Sequence, residues 1–132
     1  MKKLLGEARA AKVLVVYSLI TKTVPADVIK DVAPLADEPH VLSGPNKFRI
    51  TDLEKILKDK GITTLIVTGT VANGAVLSTA IGATLRGFTV IAPVDGLSSV
   101  EAYADLSTVY TFTTAPALVG KSTLTRSGMI KF

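Results

Sequence analysis

The sequence predicts an α/β domain of three layers, α/β/α, around a mostly parallel, Rossmann-like sheet. Two observations carry this. The runs Val13–Tyr17, Thr63–Thr68 and Phe88–Ala92 are continuously apolar or β-branched, as strands covered on both faces require. Helical stretches separate them, so consecutive strands form βαβ units whose crossovers are right-handed. At 132 residues the chain is the size of one domain, spanning 1–132.

Along the chain, Leu4–Ala11 reads as a short helix before the first strand at Val13–Tyr17. The stretch from Ile20 to Pro45 holds Pro25, Pro34, Pro39 and Pro45 and reads as loop, with one helical turn at Asp27–Val32. Thr51 opens a helix, with Glu54 three residues on completing a capping box, Leu53, Ile56 and Leu57 forming its apolar stripe, and Gly61 ending it. After the strand Thr63–Thr68 come a small-residue turn, Gly69–Gly74, and a helix over Ala75–Leu85 closed by Arg86-Gly87. Phe88–Ala92 is the third strand, Pro93–Ser99 a loop, and Val100–Phe112 a helix. Ser122–Leu124 and Met129–Lys131 read as short terminal strands. In such sheets ligands sit beyond the carboxyl ends of the strands, which points to the Gly69–Gly74 turn and to Asp95.

Composition narrows the function. The formal charge is +4, but Lys55, Lys58 and Lys60 alternate with Asp52, Glu54 and Asp59, the pattern of a solvated helix face and not of a nucleic-acid surface. The absence of cysteine excludes disulfides, thiolate metal sites and a cysteine nucleophile, and a cytoplasmic location is expected. No apolar run approaches the roughly 18 residues that span a bilayer, so no membrane association is expected. Neither a metal-ligand spacing of His, Asp and Glu nor a GxGxxG or Walker lysine is present, and no cofactor is implied. The mean hydropathy of +0.44 is high for a chain this short and favours a partner for part of the apolar surface.

The segment Gly61-Ile-Thr-Thr-Leu-Ile-Val-Thr-Gly-Thr-Val-Ala-Asn-Gly-Ala-Val-Leu-Ser-Thr-Ala80 resembles the nucleophile strand and turn of the isochorismatase-like (cysteine hydrolase) superfamily. Gly69, Ala72, Val76, Thr79 and Ala80 fall on the family's marks. The likeness continues through Arg86-Gly-Phe-Thr-Val-Ile-Ala-Pro-Val-Asp95 and is supported upstream by Phe48, Thr51-Asp-Leu-Glu54 and Leu57. The resemblance implies the family's α/β fold, with Ala75 at the nucleophile position. It makes the amides of Thr70, Val71, Ala72, Asn73 and Gly74 an oxyanion or substrate-binding turn, with a strained or cis peptide near Val71–Ala72. Lys47, directly before Phe48, is the cation nearest to the family's lysine position. Family members open with a strand ending in a catalytic Asp; this chain begins at the following helix, so the usual first strand is missing. That strand lies centrally, between those matching Val13–Tyr17 and Leu65–Thr68, and without it these two must pair directly or leave unpaired edges. Self-association as a homodimer or higher oligomer is therefore expected.

Other candidate groups have structural alternatives. His40 with Ser43 has the residue types of an acyl-transfer pair, but a solvated loop histidine needs no further partner. Ser78 lies about one turn beyond Ala75 and suits packing or a bond back to the helix. Asp95 suits fixing neighbouring loops. A methyl group at position 75 can neither attack a carbonyl nor be activated. The chain thus reads as a hydrolase-family homologue acting on or binding a small carboxylate or amide, with the cysteine-dependent mechanism absent. The alternative is a non-catalytic binding or assembly protein that keeps the fold.

Overall fold

A computed structural model describes residues 1–132. Four helices and seven short strands make up the chain, two strands following each of the first three helices and one the last, and every strand pair is parallel. Helix α1 (Lys2–Ala10) buries Leu4 and Ala8, four residues apart on one face. Strand β1 (Tyr17–Leu19) pairs with β2 (His40–Leu42), Tyr17 opposite His40 and Leu19 opposite Leu42. Helix α2 (Leu53–Asp59) leads to β3 (Thr64–Ile66), and β4 (Gly69–Thr70) follows at once. Helix α3 (Leu77–Thr84) precedes β5 (Thr89–Pro93), β6 (Leu97–Ser98), helix α4 (Ala102–Thr114) and β7 (Ser122–Thr125). No helix is long and apolar enough to cross a membrane.

The strands do not form one sheet. β5 sits between β3 and β7, β4 pairs with β6, and β1 and β2 stand as a separate pair. Thus β1 and β3 do not bond to each other, and of the two outcomes expected for these strands the structure shows unpaired edges. The core lies on the β3-β5-β7 side and beneath α2 and α3, where Phe48, Leu53, Leu57, Ala80, Ala83 and Phe88 pack with Val90, Phe112 and Leu118. Side chains, not ladder bonds, join the two half-sheets. Val41 of β2 enters this core, and the Arg9 guanidinium binds Glu38 through Nε (2.8 Å) and Nη2 (2.7 Å) while reaching the Ala33 carbonyl (2.8 Å) and the Tyr17 hydroxyl (3.2 Å).

Several sequence expectations are corrected. The run Val13–Tyr17 is regular only from Tyr17, and β1 extends past it to Leu19, because the one partner available is β2 and that begins at His40. β2 itself lies in the stretch that reads as loop. It is three residues long with only its middle residue, Val41, buried, too short to show a period. The capping box does not form: Thr51 Oγ1 accepts from the Leu53 N–H at 3.2 Å, but Glu54 turns to Lys58 Nζ (2.6 Å) and Arg86 Nε (2.9 Å). The helix expected from Ala75 opens as a wide turn over Ala72–Val76 before α3 begins. Met129–Lys131 is no strand. The Met129 N–H donates to Arg126 and that of Ile130 to Ser127, curling the chain into a 3-10 turn. Gly61 and Gly87 do end their helices as expected, at φ of 67° and 89°, where a side chain would be strained.

Candidate functional site

The turn after β3 is built by small residues. Gly69 (φ 117°) and Thr70 pair with Leu97 and Ser98, the peptide between Thr70 and Val71 is cis, and the chain then winds into the wide turn over Ala72–Val76. The cis bond lies one residue before the expected place. Ala72 and Val76 are buried, Ala75 and Gly74 half-buried, and Thr70, Val71 and Asn73 exposed. The Ala72 N–H donates to Ser99 Oγ at 3.1 Å and that of Gly74 to the Val71 carbonyl at 3.1 Å, so two of the turn's amides already have partners. The turn runs into α3 at its N-terminal end, where the dipole favours negative charge.

Lys47 is held from both sides. Its backbone N–H donates to Thr79 Oγ1 (3.2 Å), and the Thr79 hydroxyl donates to the Pro45 carbonyl (3.1 Å). Thr79 stands one helical turn beyond Ala75, so the loop carrying Lys47 is fastened to the helix that follows the turn. Asn46 fixes the same loop by accepting the Phe48 N–H at 3.0 Å. A Cβ at Gly82 would come within 2.6 Å of that Asn46 oxygen, so a side chain there would push the Asn46 amide away from the Phe48 N–H. The Lys47 ammonium donates to the carbonyls of Leu19 (2.7 Å) and Ser43 (3.0 Å), the carboxyl ends of β1 and β2. Lys47 is 1% exposed, has no carboxylate partner, and burial lowers its pKa from the ordinary lysine value.

Between β1 and β3 lies a cavity of about 260 Å³ with a largely apolar lining. Leu4, Val16, Leu57 and Leu65 form its body, and Lys47, Thr68 and Thr79 lie along it. Of the candidate residues only Lys47 lines it; Thr70–Gly74 and Ala75 do not. A second depression is edged by Ser43, Asn46, Arg49 and Ser78.

The remaining candidates serve structure. His40 is exposed on β2, and the Ser43 hydroxyl donates to the carbonyls of Arg49 (3.0 Å) and Asn46 (3.3 Å), so no His–Ser pair is assembled. Asp95 accepts the Ser127 N–H (2.7 Å) and hydroxyl (2.6 Å), bonds that hold its carboxyl below the usual range and tie the C-terminal turn to the loop after β5. No cluster of three or more His, Asp or Glu is placed to hold a metal ion. Sequence reasoning missed the roles of Thr79, whose partner lies 32 residues away, and of Asn46, which bonds two residues on within its own loop.

With this geometry in view, the comparisons are concordant. The Isochorismatase domain model matches residues 1–113, and the chain belongs to the isochorismatase family. Among solved structures it is similar to an isochorismatase family protein from Desulfovibrio vulgaris (18% identity, 96% of this chain and 78% of that one, TM-score 0.85). It is also similar to N-carbamoylsarcosine amidase from Thermoplasma acidophilum (21% identity, 99% and 82%, TM-score 0.81). A third is a nicotinamidase/pyrazinamidase from Bacillus subtilis (16% identity, 95% and 81%, TM-score 0.82). At these identities the likeness is one of fold. No curated protein is a significant match.

Proposed function

We propose that this family member binds a small carboxylate- or amide-type molecule at the Thr70–Gly74 turn and does not turn it over through a covalent enzyme intermediate. The observation that carries the reading is Ala75 at the position the family resemblance assigns to the nucleophile, in a chain without any cysteine. The helix start supports an anionic or carbonyl oxygen at the turn, and Lys47, fastened to the same helix through Thr79, supplies the nearest buried cation.

The neighbours named as amidases suggest the probes. Nicotinamide, N-carbamoylsarcosine and the carboxylates their hydrolysis would give are expected to include at least one ligand that saturates in calorimetry, with no product formed. Ala75→Cys is expected to restore little turnover, because nucleophile, acid and base act as a unit. Product formation by the native protein together with a covalent substrate adduct on it, read by mass spectrometry, would overturn the non-covalent part, and sustained turnover in Ala75→Cys would overturn the expectation for that variant. Failure of all four probes to saturate would overturn the binding part.

An assembly role is favoured by a separate observation. Helix α4 turns Tyr103, Leu106 and Tyr110 outward at helical spacing, exposed by 76%, 66% and 67%, beside Val100 at 94%. We read this stripe as the surface through which copies of the chain associate.

A further inference from the structure

We infer that the depression between the loop Ser43–Ile50 and the start of α3 is a binding site for a small phosphate ester with a polar body. The first reason is an asymmetry in the loop's hydrogen bonds. Its carbonyls are taken: that of Ser43 by the Lys47 ammonium (3.0 Å), that of Pro45 by the Thr79 hydroxyl (3.1 Å), and those of Asn46 (3.3 Å) and Arg49 (3.0 Å) by the shared Ser43 hydroxyl. Its donors are free. The N–H groups of Gly44 and Asn46 form no hydrogen bond, and neither does the Arg49 guanidinium nor, on α3 across the depression, the Ser78 hydroxyl. Asn46 accepts the Phe48 N–H through Oδ1 (3.0 Å), which leaves its NH2 group unbonded as well. A surface whose acceptors are satisfied and whose donors are idle selects an anion.

Charge points the same way. Arg49 is exposed and has no carboxylate partner, and none of the eight residues around the depression is acidic. A guanidinium presents its N–H groups as a planar fork that takes the oxygens of a phosphate or carboxylate two at a time. The bond from the Ser43 hydroxyl to the Arg49 carbonyl closes the loop, and the next residue, Ile50, is exposed with a φ of 58°. A β-branched residue in the left-handed region is an outlier, and Ile50 buries no side chain to offset it. Backbone strain of this kind is retained at ligand-holding loops, and here it lies on the rim of the depression.

Size and lining set the rest of the ligand. The depression has a volume of about 510 Å³, inside the range of about 300–1,000 Å³ for small-molecule sites and more than a lone phosphate fills. Two of the eight residues around it are hydrophobic, so the body of the ligand is polar. The free guanidinium, carboxamide, hydroxyl and two amides come from both the loop and α3, and their hydrogens exceed the roughly four acceptor sites of one carboxylate. A phosphate ester offers three terminal oxygens and up to two negative charges. A sugar phosphate has both parts. None of the lining residues belongs to the Thr70–Gly74 turn, so this site is separate from the one proposed there.

The probe is ribose 5-phosphate, titrated into the intact chain at low salt and read by calorimetry and by backbone amide shifts in NMR. Saturation at one molecule per chain is expected, with the largest shifts at the Gly44 and Asn46 amides. Ribose, which lacks the anion, should not saturate. Ribonate, with a carboxylate, and inorganic phosphate, without the polar body, should each bind about tenfold more weakly or worse. Arg49→Gln should weaken binding of ribose 5-phosphate by about tenfold or more, the scale of hydrogen bonds to a charged group. Neither the fold's ion pairs nor its hydrogen bonds use the Arg49 side chain, so the variant should keep the native urea midpoint, and the ligand series is in any case measured on the native chain. Lys60→Gln, which removes an exposed charge at the end of α2, should bind as the native chain does. No saturation by ribose 5-phosphate overturns the proposal, as do undiminished binding by Arg49→Gln, an equal loss in Lys60→Gln, or shifts centred on Thr70–Gly74. Ribonate or inorganic phosphate binding as tightly as the ester overturns the ligand class.

Discussion

Phe48→Ala is expected to lower the free energy of unfolding by about 3–5 kcal/mol, the cost of removing a large aromatic side chain from a packed interior. Phe48 is 5% exposed and lies against Phe88, ring centres 5.7 Å apart, with the Arg86 guanidinium 5.1 Å over its face. It follows Lys47 directly, so its burial also seats the loop that joins the two half-sheets. Collapse around the missing ring is limited, because Leu53 and Leu57 lie in α2 and the Phe88 N–H is bonded to the Ala83 carbonyl at 3.2 Å. Urea unfolding measures the effect, with an unchanged dependence on denaturant expected for a purely native-state loss. A loss below about 1 kcal/mol would mean that the site is far looser than the packing indicates.

Glu38→Gln is expected to cost about 2 kcal/mol, because it removes the anion that both Arg9 nitrogens and the Leu35 N–H (2.8 Å) bind. This network matters more than an ordinary surface pair. The Glu38 side chain is 9% exposed, and the network ties α1 to the loop leading into β2, on the side of the molecule that lacks ladder bonds to the rest. Its pH dependence follows from the bonds. The hydrogen bond from Arg9 holds the folded-state pKa of Glu38 below the usual 4.5. The unfolded chain therefore takes up this proton first as pH falls. The stabilisation is complete above the unfolded carboxylate pKa, declines as pH drops below 4.5, and is gone once the folded group is also protonated. Glu38→Gln should accordingly lose less stability than the native chain between neutrality and pH 3, measured by thermal unfolding across that range. Parallel pH profiles would contradict this role for Glu38.

The parts of the fold legible in the sequence are those fixed by local pattern. The apolar runs at Thr63–Thr68 and Phe88–Ala92 announce β3 and β5, and Gly61 and Gly87 mark helix ends because only glycine enters a positive φ there without cost. What stayed hidden depends on distant partners. β2 is a strand only because β1 lies beside it, and nothing in His40-Val-Leu42 shows a period. Val13–Val16 has the composition of a central strand but lacks the neighbour that would make it one. The Arg9–Glu38 pair spans 29 residues and has no local signature. At the site, the small residues of the turn were readable, whereas the anchoring of Lys47 by Thr79 and by the two strand-end carbonyls required the packing of α3 against the loop before α2.

These findings meet in one claim, that the sheet is divided by an open cleft with two unpaired strand edges. Hydrogen exchange of the unliganded chain at individual amides tests it most directly, since exchange reports which N–H groups are bonded. The Leu65, Val67 and Ile91 amides, bonded within the β3-β5 ladder, are expected to exchange slowly. Those of Leu14, Val16, Ser18, Thr64, Ile66 and Thr68 should exchange at rates close to those of an unstructured peptide. Protection of these six amides equal to that of Leu65 and Ile91 would show that the two half-sheets are joined, and would contradict the account.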